Sequence, residues 1–417
     1  MNDTDSPLVR PFRGLRPAPR YAAEVAAPPY DVVNTAEAAR LAEGRPLSFL
    51  HISKPEIDLP PGTDPFAPEV YAKGAENLRR MIADGVLRRD PAPCYYVYRI
   101  RLGDHVQTGI AGGGSVAAYG AGRIRRHELT RPDKEDDRVR QIEAVGAQTG
   151  PVFTAHRPDP ALAAVAARVT AGTPDYEVEL AGARHTLWVV PGAAEIEAIN
   201  AAFDAMDVIY IADGHHRSAA ASRVAAARAA TGPEADGARP YDFFLIVSFP
   251  ADEVQIFDYN RVVKDLAGLP EAEFLAGVGA AFEVAASDAP VKPARAHEFG
   301  MYLPGRWYRL ALKSPPGPEA PPLARLDVGL LQDRLLAPVL GIGDPRTDKR
   351  IDFVGGVRGL EGLRARVDSG DWAVAFALFP TSLEDLMAVA DSGEVMPPKS
   401  TWFEPKLADG LVSLALD

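Results

Sequence analysis

The chain has one cysteine, Cys94, which excludes an intrachain disulfide and a cysteine-based metal cluster. Its neighbours Pro93, Tyr95, Tyr96 and Val97 are apolar, so a buried strand residue is expected there and not a nucleophile. No apolar run approaches the roughly 18 residues that a bilayer span requires. The opening MNDTDSPLVRPFRGLRP has no continuous apolar stretch, so no secretory signal is expected and the cytoplasm is the default compartment. Positive charge is in the minority: 45 Lys and Arg face 57 Asp and Glu, for a net charge of −12. A large electrostatic footprint on nucleic acid is therefore not expected. A nucleotide is not excluded, because one small basic pocket holds a triphosphate. Internal repeats and low-complexity segments are absent. The glycines at 112–114 are not followed by Gly-Lys-Ser/Thr, so they do not make a P-loop; a bulge or a tight strand crossing is expected.

At 417 residues with 47% hydrophobic content, the chain has the size and composition of a large globular unit. Proline-rich residues 1–60 predict an extended, turn-rich path with a fixed loop at Pro28-Pro29-Tyr30-Asp31 and a short helix near Thr35–Ala42. Val70, Leu78 and Met81 recur at helical spacing within 66–89, and Gly85 can end that helix. Two strands joined at Gly103-Asp104-His105 are expected over 94–119, then a helix over 134–144, a helix near 160–170 and a strand near 185–190. TGPEADGARP (231–240) reads as a surface loop, YDFFLIVSFP (241–250) and VQIFDYNRVV (254–263) as strands, and LDVGLLQDRLLAPVL (326–340) as an amphipathic helix. Hairpins mixed with helices predict an α+β (mixed α/β) fold, without a doubly wound βαβ rhythm.

The densest chemistry lies at Val208–Ala221. A β-branched apolar run ends in Asp213-Gly214-His215-His216-Arg217-Ser218, and a small-residue helical pattern follows at once. Strand, polar turn and helix N-terminus in that order build an anion site: the first-turn N–H groups and the helix dipole favour negative charge. Arg217 adds a two-pronged grip on phosphate or carboxylate, and Gly214 permits close backbone approach. Asp213 can hold Mg2+, orient a histidine or cap the helix. The plain alternative is a capping aspartate with exposed histidines. Zinc is disfavoured, since further ligands are missing nearby. A second constellation is Arg123, Arg125, Arg126, His127, Glu128 and Thr130, followed by Asp136, Asp137 and Arg138. Glu128 beside so many bases should stay ionised, as suits a carboxylate that takes a proton from a hydroxyl; a solvated charged loop is the alternative. The third is Lys399-Ser400-Thr401-Trp402-Phe403-Glu404-Pro405-Lys406. It suits phosphate binding, or a segment docked by Trp402 and Phe403. Asp258-Tyr259-Asn260-Arg261 closes a strand and can add polar groups.

Taken in order, these elements resemble the DUF1015 family. The matching residues are Pro11–Arg16, Ala27–Val32, His127–Thr130 with Asp137-Arg138, Ala212–Arg217 and Pro398–Lys406. The Asp-Gly-His-His-Arg turn is also similar to that of free-serine kinases related to the ParB and sulfiredoxin superfamily. The resemblance implies a ParB/sulfiredoxin-like core carrying this strand–turn–helix, within one DUF1015-like unit over 1–417. Its expected parts are an N-terminal lobe (1–110), a catalytic core (111–265) and a C-terminal lobe (266–417). It implies a nucleotide-dependent kinase that makes O-phospho-L-serine from free L-serine, with Mg2+ as cofactor and ATP or ADP as donor. Glu128, paired with His127, would handle the hydroxyl. Gly214, His215, His216, Arg217, Ser218, Lys399 and Lys406 would hold phosphates. Asp213 would hold the metal, and Arg126 or Arg16 the substrate carboxylate. Ser218 stands where the family often has an aromatic residue, so the acceptor can differ. No membrane partner is expected, and a homodimer is left open. The competing readings are a nucleotide-binding ParB-like regulator and a metal-dependent phosphohydrolase.

Overall fold

A computed structural model describes residues 6–231 and 238–417. Most of the expected loop at 231–240 therefore lies outside the described residues, as do the first five residues of the opening segment. The chain divides into two compact units, 1–254 with 405–417, and 255–404. The expected lobe boundary at 110/111 falls inside the strand His105–Ser115, and that at 265/266 falls within the second unit.

The first unit is built on a mixed nine-stranded sheet. Its order runs Ile124–Arg125, Ile209–Asp213, Val152–His156, Phe243–Pro250, His105–Ser115, Tyr95–Leu102, Ala183–Val190, Tyr176–Leu180, with Val9–Arg10 added beside His105–Ser115. Ile209–Asp213 runs parallel to Ile124–Arg125 and antiparallel to Val152–His156, with a register shift between Ile211 and Asp213. The shift falls where the strand delivers its last residue to the turn. Val97, Ile110, Val152, Ile211 and Ile246 form one core with Leu162, Val165, Ile199 and Phe203 from the helices Pro160–Thr170 and Ala193–Asp204. Gly112, Gly113 and Gly114 sit in unbroken register. A Cβ on each would come within 2.6–2.9 Å of Val9, Phe243 or Ile246, so close packing explains the triple glycine, without a bulge. Cys94 is buried, and burial raises its thiol pKa. A small sheet, Leu87–Arg89, Gly14–Pro17, Ser413–Ala415 and Ala147–Gln148, ties the C-terminal residues into this unit.

The second unit carries a six-stranded antiparallel sheet, Phe282–Ser287, Arg306–Leu312, Glu298–Leu303, Val374–Leu378, Tyr259–Val263, Ile351–Gly355. Leu363 and Val367 of the helix Gly359–Asp368 pack on Val262, Val354 and Ala375. The helix expected over 326–340 is shorter: α-helix over Asp327–Leu331, then a π turn over Gln332–Leu336. The α+β class stands. Among the described residues no helix is long and apolar enough to cross a membrane.

Candidate active site

The strand Ile209–Asp213 ends at Gly214 and the helix His215–Thr231 begins at once. Gly214 has φ +102, a conformation that L side chains rarely adopt. A Cβ there would meet Arg217 at 3.1 Å and the Val152 backbone at 3.2 Å. The Gly214 carbonyl accepts from the amides of Arg217 (2.9 Å) and Ser218 (3.0 Å). The preceding first-turn amides have no acceptor inside the helix.

Both histidines of the turn clasp one loop. His215 Nε2 accepts the His127 amide at 3.4 Å, and His216 Nε2 accepts the Arg131 amide at 3.1 Å. Each neutral ring therefore carries its proton on Nδ1. His215 Nδ1 lies 3.8 Å from Glu128 Oε2, and its ring meets that of His127 edge-on, centroids 4.5 Å apart. His127 Nδ1 donates to the Ile211 carbonyl at 2.9 Å. Burial drives the His127 pKa down to about 4. Burial, helped by His127, takes His215 well below the usual range, and burial lowers His216 too. All three are neutral at pH 7. Nε2 of His215 and of His216 is thus engaged as an acceptor, while Nδ1 of each stays a donor.

A charged cluster surrounds Asp213. Lys406 Nζ donates to Asp213 Oδ2 at 3.1 Å, and Arg217 Nη2 lies 3.9 Å from Oδ1. Burial works to raise the Asp213 pKa, but Lys406 and Arg217 outweigh it and hold the carboxyl ionised. Arg217 Nη2 is also 3.7 Å from Asp31 Oδ2, and Nη1 donates to the Pro151 carbonyl. Its Nε is buried without a hydrogen-bond partner. Burial opposes its charge; Asp31 and Asp213 override that and raise its pKa. The loop that brings Asp31 is held by Arg138, whose guanidinium lies 3.9 Å from the Tyr30 ring centroid. Arg138 is fixed by Asp137 at 2.7 Å, and Asp137 accepts from the Tyr71 hydroxyl at 2.9 Å. Asp409, 1% exposed, completes the cluster. Burial pushes its pKa up to about 7 against the pull of Arg217.

The structure thus brings together His127, Glu128, Asp213, Gly214, His215, His216, Arg217 and Lys406. Two expected residues, Ser218 and Arg16, are corrected. Ser218 is fully buried and its hydroxyl donates to the His215 carbonyl at 3.0 Å, so it stabilises the helix and does not face a ligand. Arg16 is spent on Asp90, at 2.9 Å, and Asp175, at 3.4 Å, which removes it as a carboxylate clamp. Lys399 belongs to the second unit, where its ammonium lies 5.6 Å from the Tyr259 ring centroid. Arg126 is exposed on the strand-to-loop passage ahead of His127. Asp31 and Asp409 escaped the sequence reading. The Pro28-Pro29 pair signals a fixed loop before Asp31, whereas nothing local marks Asp409.

Among the described residues, no group of three His, Cys, Asp or Glu converges as a metal site. Mg2+ needs only one or two protein carboxylates when phosphates and water complete its shell. Asp213, with Asp31 near the same Arg217 nitrogen, fits that lesser requirement.

The family model described as "protein of unknown function (DUF1015)" matches residues 9–329. No curated protein matches the sequence. Solved structures similar to the chain include a free serine kinase in complex with AMP (13% identity, 71% of this chain and 86% of that one, TM-score 0.33). A conserved hypothetical protein from Pyrococcus furiosus gives 16% identity over 72% of this chain and 93% of that one, TM-score 0.33. SbnI with a C-terminal truncation, from Staphylococcus aureus, gives 11% identity over 72% and 85%, TM-score 0.37.

Proposed function

The chain belongs to the DUF1015 family, and from the chemistry of its Asp-Gly-His-His-Arg turn we propose that it is a nucleotide-dependent kinase that phosphorylates the hydroxyl of free L-serine. One observation carries this reading: the phosphate-type turn and the Glu128 carboxylate meet through His215, 3.8 Å from Glu128 Oε2. Phosphoryl transfer asks a protein for held phosphates, neutralised charge and an oriented hydroxyl. The first-turn amides of the helix and Lys406 supply the first two. Arg217 sets the charge balance between Asp31 and Asp213 and keeps the turn in place. Glu128 orients the acceptor hydroxyl and takes its proton. Neutral His215 lies 3.8 Å from that carboxylate and adds no positive charge beside it.

Mg2+ would be held by Asp213, with Asp31 in support, and when bound would neutralise phosphate charge. Arg126 is the arginine still available for the substrate carboxylate. ATP and ADP both satisfy this arrangement as donors.

The test is ³¹P NMR of the full chain with Mg2+, L-serine and either ATP or ADP. The expected result is a phosphoserine resonance that disappears in Glu128→Gln. Release of free phosphate alone points to a phosphohydrolase, and nucleotide binding without turnover points to a regulator; either result overturns the kinase reading.

A further inference from the structure

One cavity of the first unit holds two opposite charges that do not pair with each other. It has a volume of about 400 Å³ and is half open. It lies where the strands Val152–His156 and Phe243–Pro250 end beside the helix Pro160–Thr170. That volume suits a small molecule. The Asp-Gly-His-His-Arg turn lies elsewhere in this unit. Its Asp213 pairs with Phe153, and His156 stands at the far end of that strand, about 10 Å further along.

Thr108 keeps the two charges apart. Its hydroxyl accepts from Arg99 Nε at 3.1 Å, and its amide donates to Glu253 Oε2 at 2.6 Å. The Arg99 guanidinium also stands 5.3 Å from the Trp188 ring centroid. Among the described residues no carboxylate lies within ion-pair distance of Arg99, and neither of its Nη atoms makes a hydrogen bond. Glu253 Oε1 has no hydrogen-bond partner among them either. Burial lowers the Arg99 pKa and raises that of Glu253, so each charge gains from an opposite one brought by a ligand.

The rest of the lining is apolar or short of a partner. Ile110 and Leu162 are buried and form a wall. His156 also lines the cavity and is 2% exposed. Its Nδ1 lies 2.9 Å from the Ser248 hydroxyl, whereas Nε2 has no hydrogen-bond partner among the described residues. Buried polar groups normally have one. Fixed opposite charges, an open acceptor and an apolar wall complement a zwitterion with an aliphatic tail. The carboxylate meets the fork of Arg99, the ammonium lies between Glu253 and His156 Nε2, and the tail packs on Ile110 and Leu162. Asp159 and Asp252, which also line the cavity, disfavour a bare anion, and Arg99 disfavours a bare cation.

We propose that this cavity binds a free α-amino acid with an aliphatic side chain. The site stands apart from the kinase reading and does not rest on it. The experiment is equilibrium dialysis of the full chain with labelled L-leucine, on wild type, Arg99→Gln and Glu253→Gln. One equivalent is expected in wild type, with affinity lower by about tenfold or more in each variant, as loss of a charge-assisted contact requires. Circular dichroism checks that the variants fold, and unlabelled competitors test the site on wild type alone. Isocaproate lacks the ammonium, isoamylamine lacks the carboxylate and glycine lacks the tail. Each should compete about tenfold or more weakly than L-leucine. Absence of L-leucine binding overturns the proposal, as does wild-type affinity in either folded variant. Equal competition by isocaproate or isoamylamine overturns the zwitterion, and equal competition by glycine overturns the aliphatic side chain.

Discussion

His215 takes the His127 amide hydrogen on Nε2 at 3.4 Å and holds its own Nδ1 3.8 Å from Glu128 Oε2. The first histidine of the turn therefore accepts from one residue of another loop and lies close to the carboxylate of the next. Glu128→Gln keeps the shape and removes the base. A fall in kcat of about 10²- to 10⁴-fold is expected, the usual weight of general-base catalysis, with nucleotide affinity kept. His215→Ala should lower kcat and also loosen the 127–131 loop. Steady-state kinetics beside amide exchange of that loop checks both. A Glu128→Gln enzyme with unchanged kcat would remove the carboxylate from the mechanism.

Lys406 returns from the far end of the chain to Asp213, at 3.1 Å. Lys406→Gln removes a phosphate partner and the main counter-charge of Asp213 together. Nucleotide affinity should drop by about tenfold to a hundredfold, the range of a lost charge-assisted contact. Titration calorimetry with ADP and Mg2+ measures it. Unaltered affinity would mean that Lys406 serves only to balance Asp213.

Gly214→Ala introduces a Cβ at φ +102, 3.2 Å from the Val152 backbone. The side chain of Arg217 can give way, but the strand backbone cannot. A loss of about 1–3 kcal/mol is expected from the backbone alone, read by urea unfolding. Nucleotide binding should weaken even where the variant is folded, because the turn must open to relieve the contact. An alanine tolerated at full stability would show that the turn adopts another conformation.

Much of this site was legible because its parts are local. A β-branched run, a glycine that needs positive φ and a small-residue helix sit in fourteen consecutive positions, and they fold as strand, turn and helix. The hairpin about Gly103 and the helix near 160–170 were readable for the same reason. Partnerships were not. Nothing in the sequence says that Arg16 is spent on Asp90, or that Ser218 turns inward to the His215 carbonyl, because both depend on which face of an element meets the core. Asp409 comes beside Arg217 only when the last residues return to the first unit. Lys399 and Lys406 sit in one motif, yet the boundary between the two units falls between them.

His156 gives a pH test of the first unit's core. It is 2% exposed, and its Nδ1 lies 2.9 Å from the Ser248 hydroxyl. Burial lowers its pKa to about 4, against a small opposite pull from Asp159. Below about pH 6.5 the unfolded chain protonates this histidine and the folded one does not. The unfolded state then binds more protons, so stability falls as pH drops from about 6.5 to about 4. By pH 5 the loss from this residue reaches about 2 kcal/mol. Asp409, with its pKa pushed up to about 7, acts with the opposite sign across the same range, but it is present in wild type and variant alike. His156→Gln should be less stable than wild type at pH 7.5, and the gap should narrow by about 2 kcal/mol at pH 5. Urea unfolding at the two pH values measures it. Parallel losses in the two proteins would show that His156 takes up its proton within the folded state, which its burial against Phe203 and Ser248 forbids.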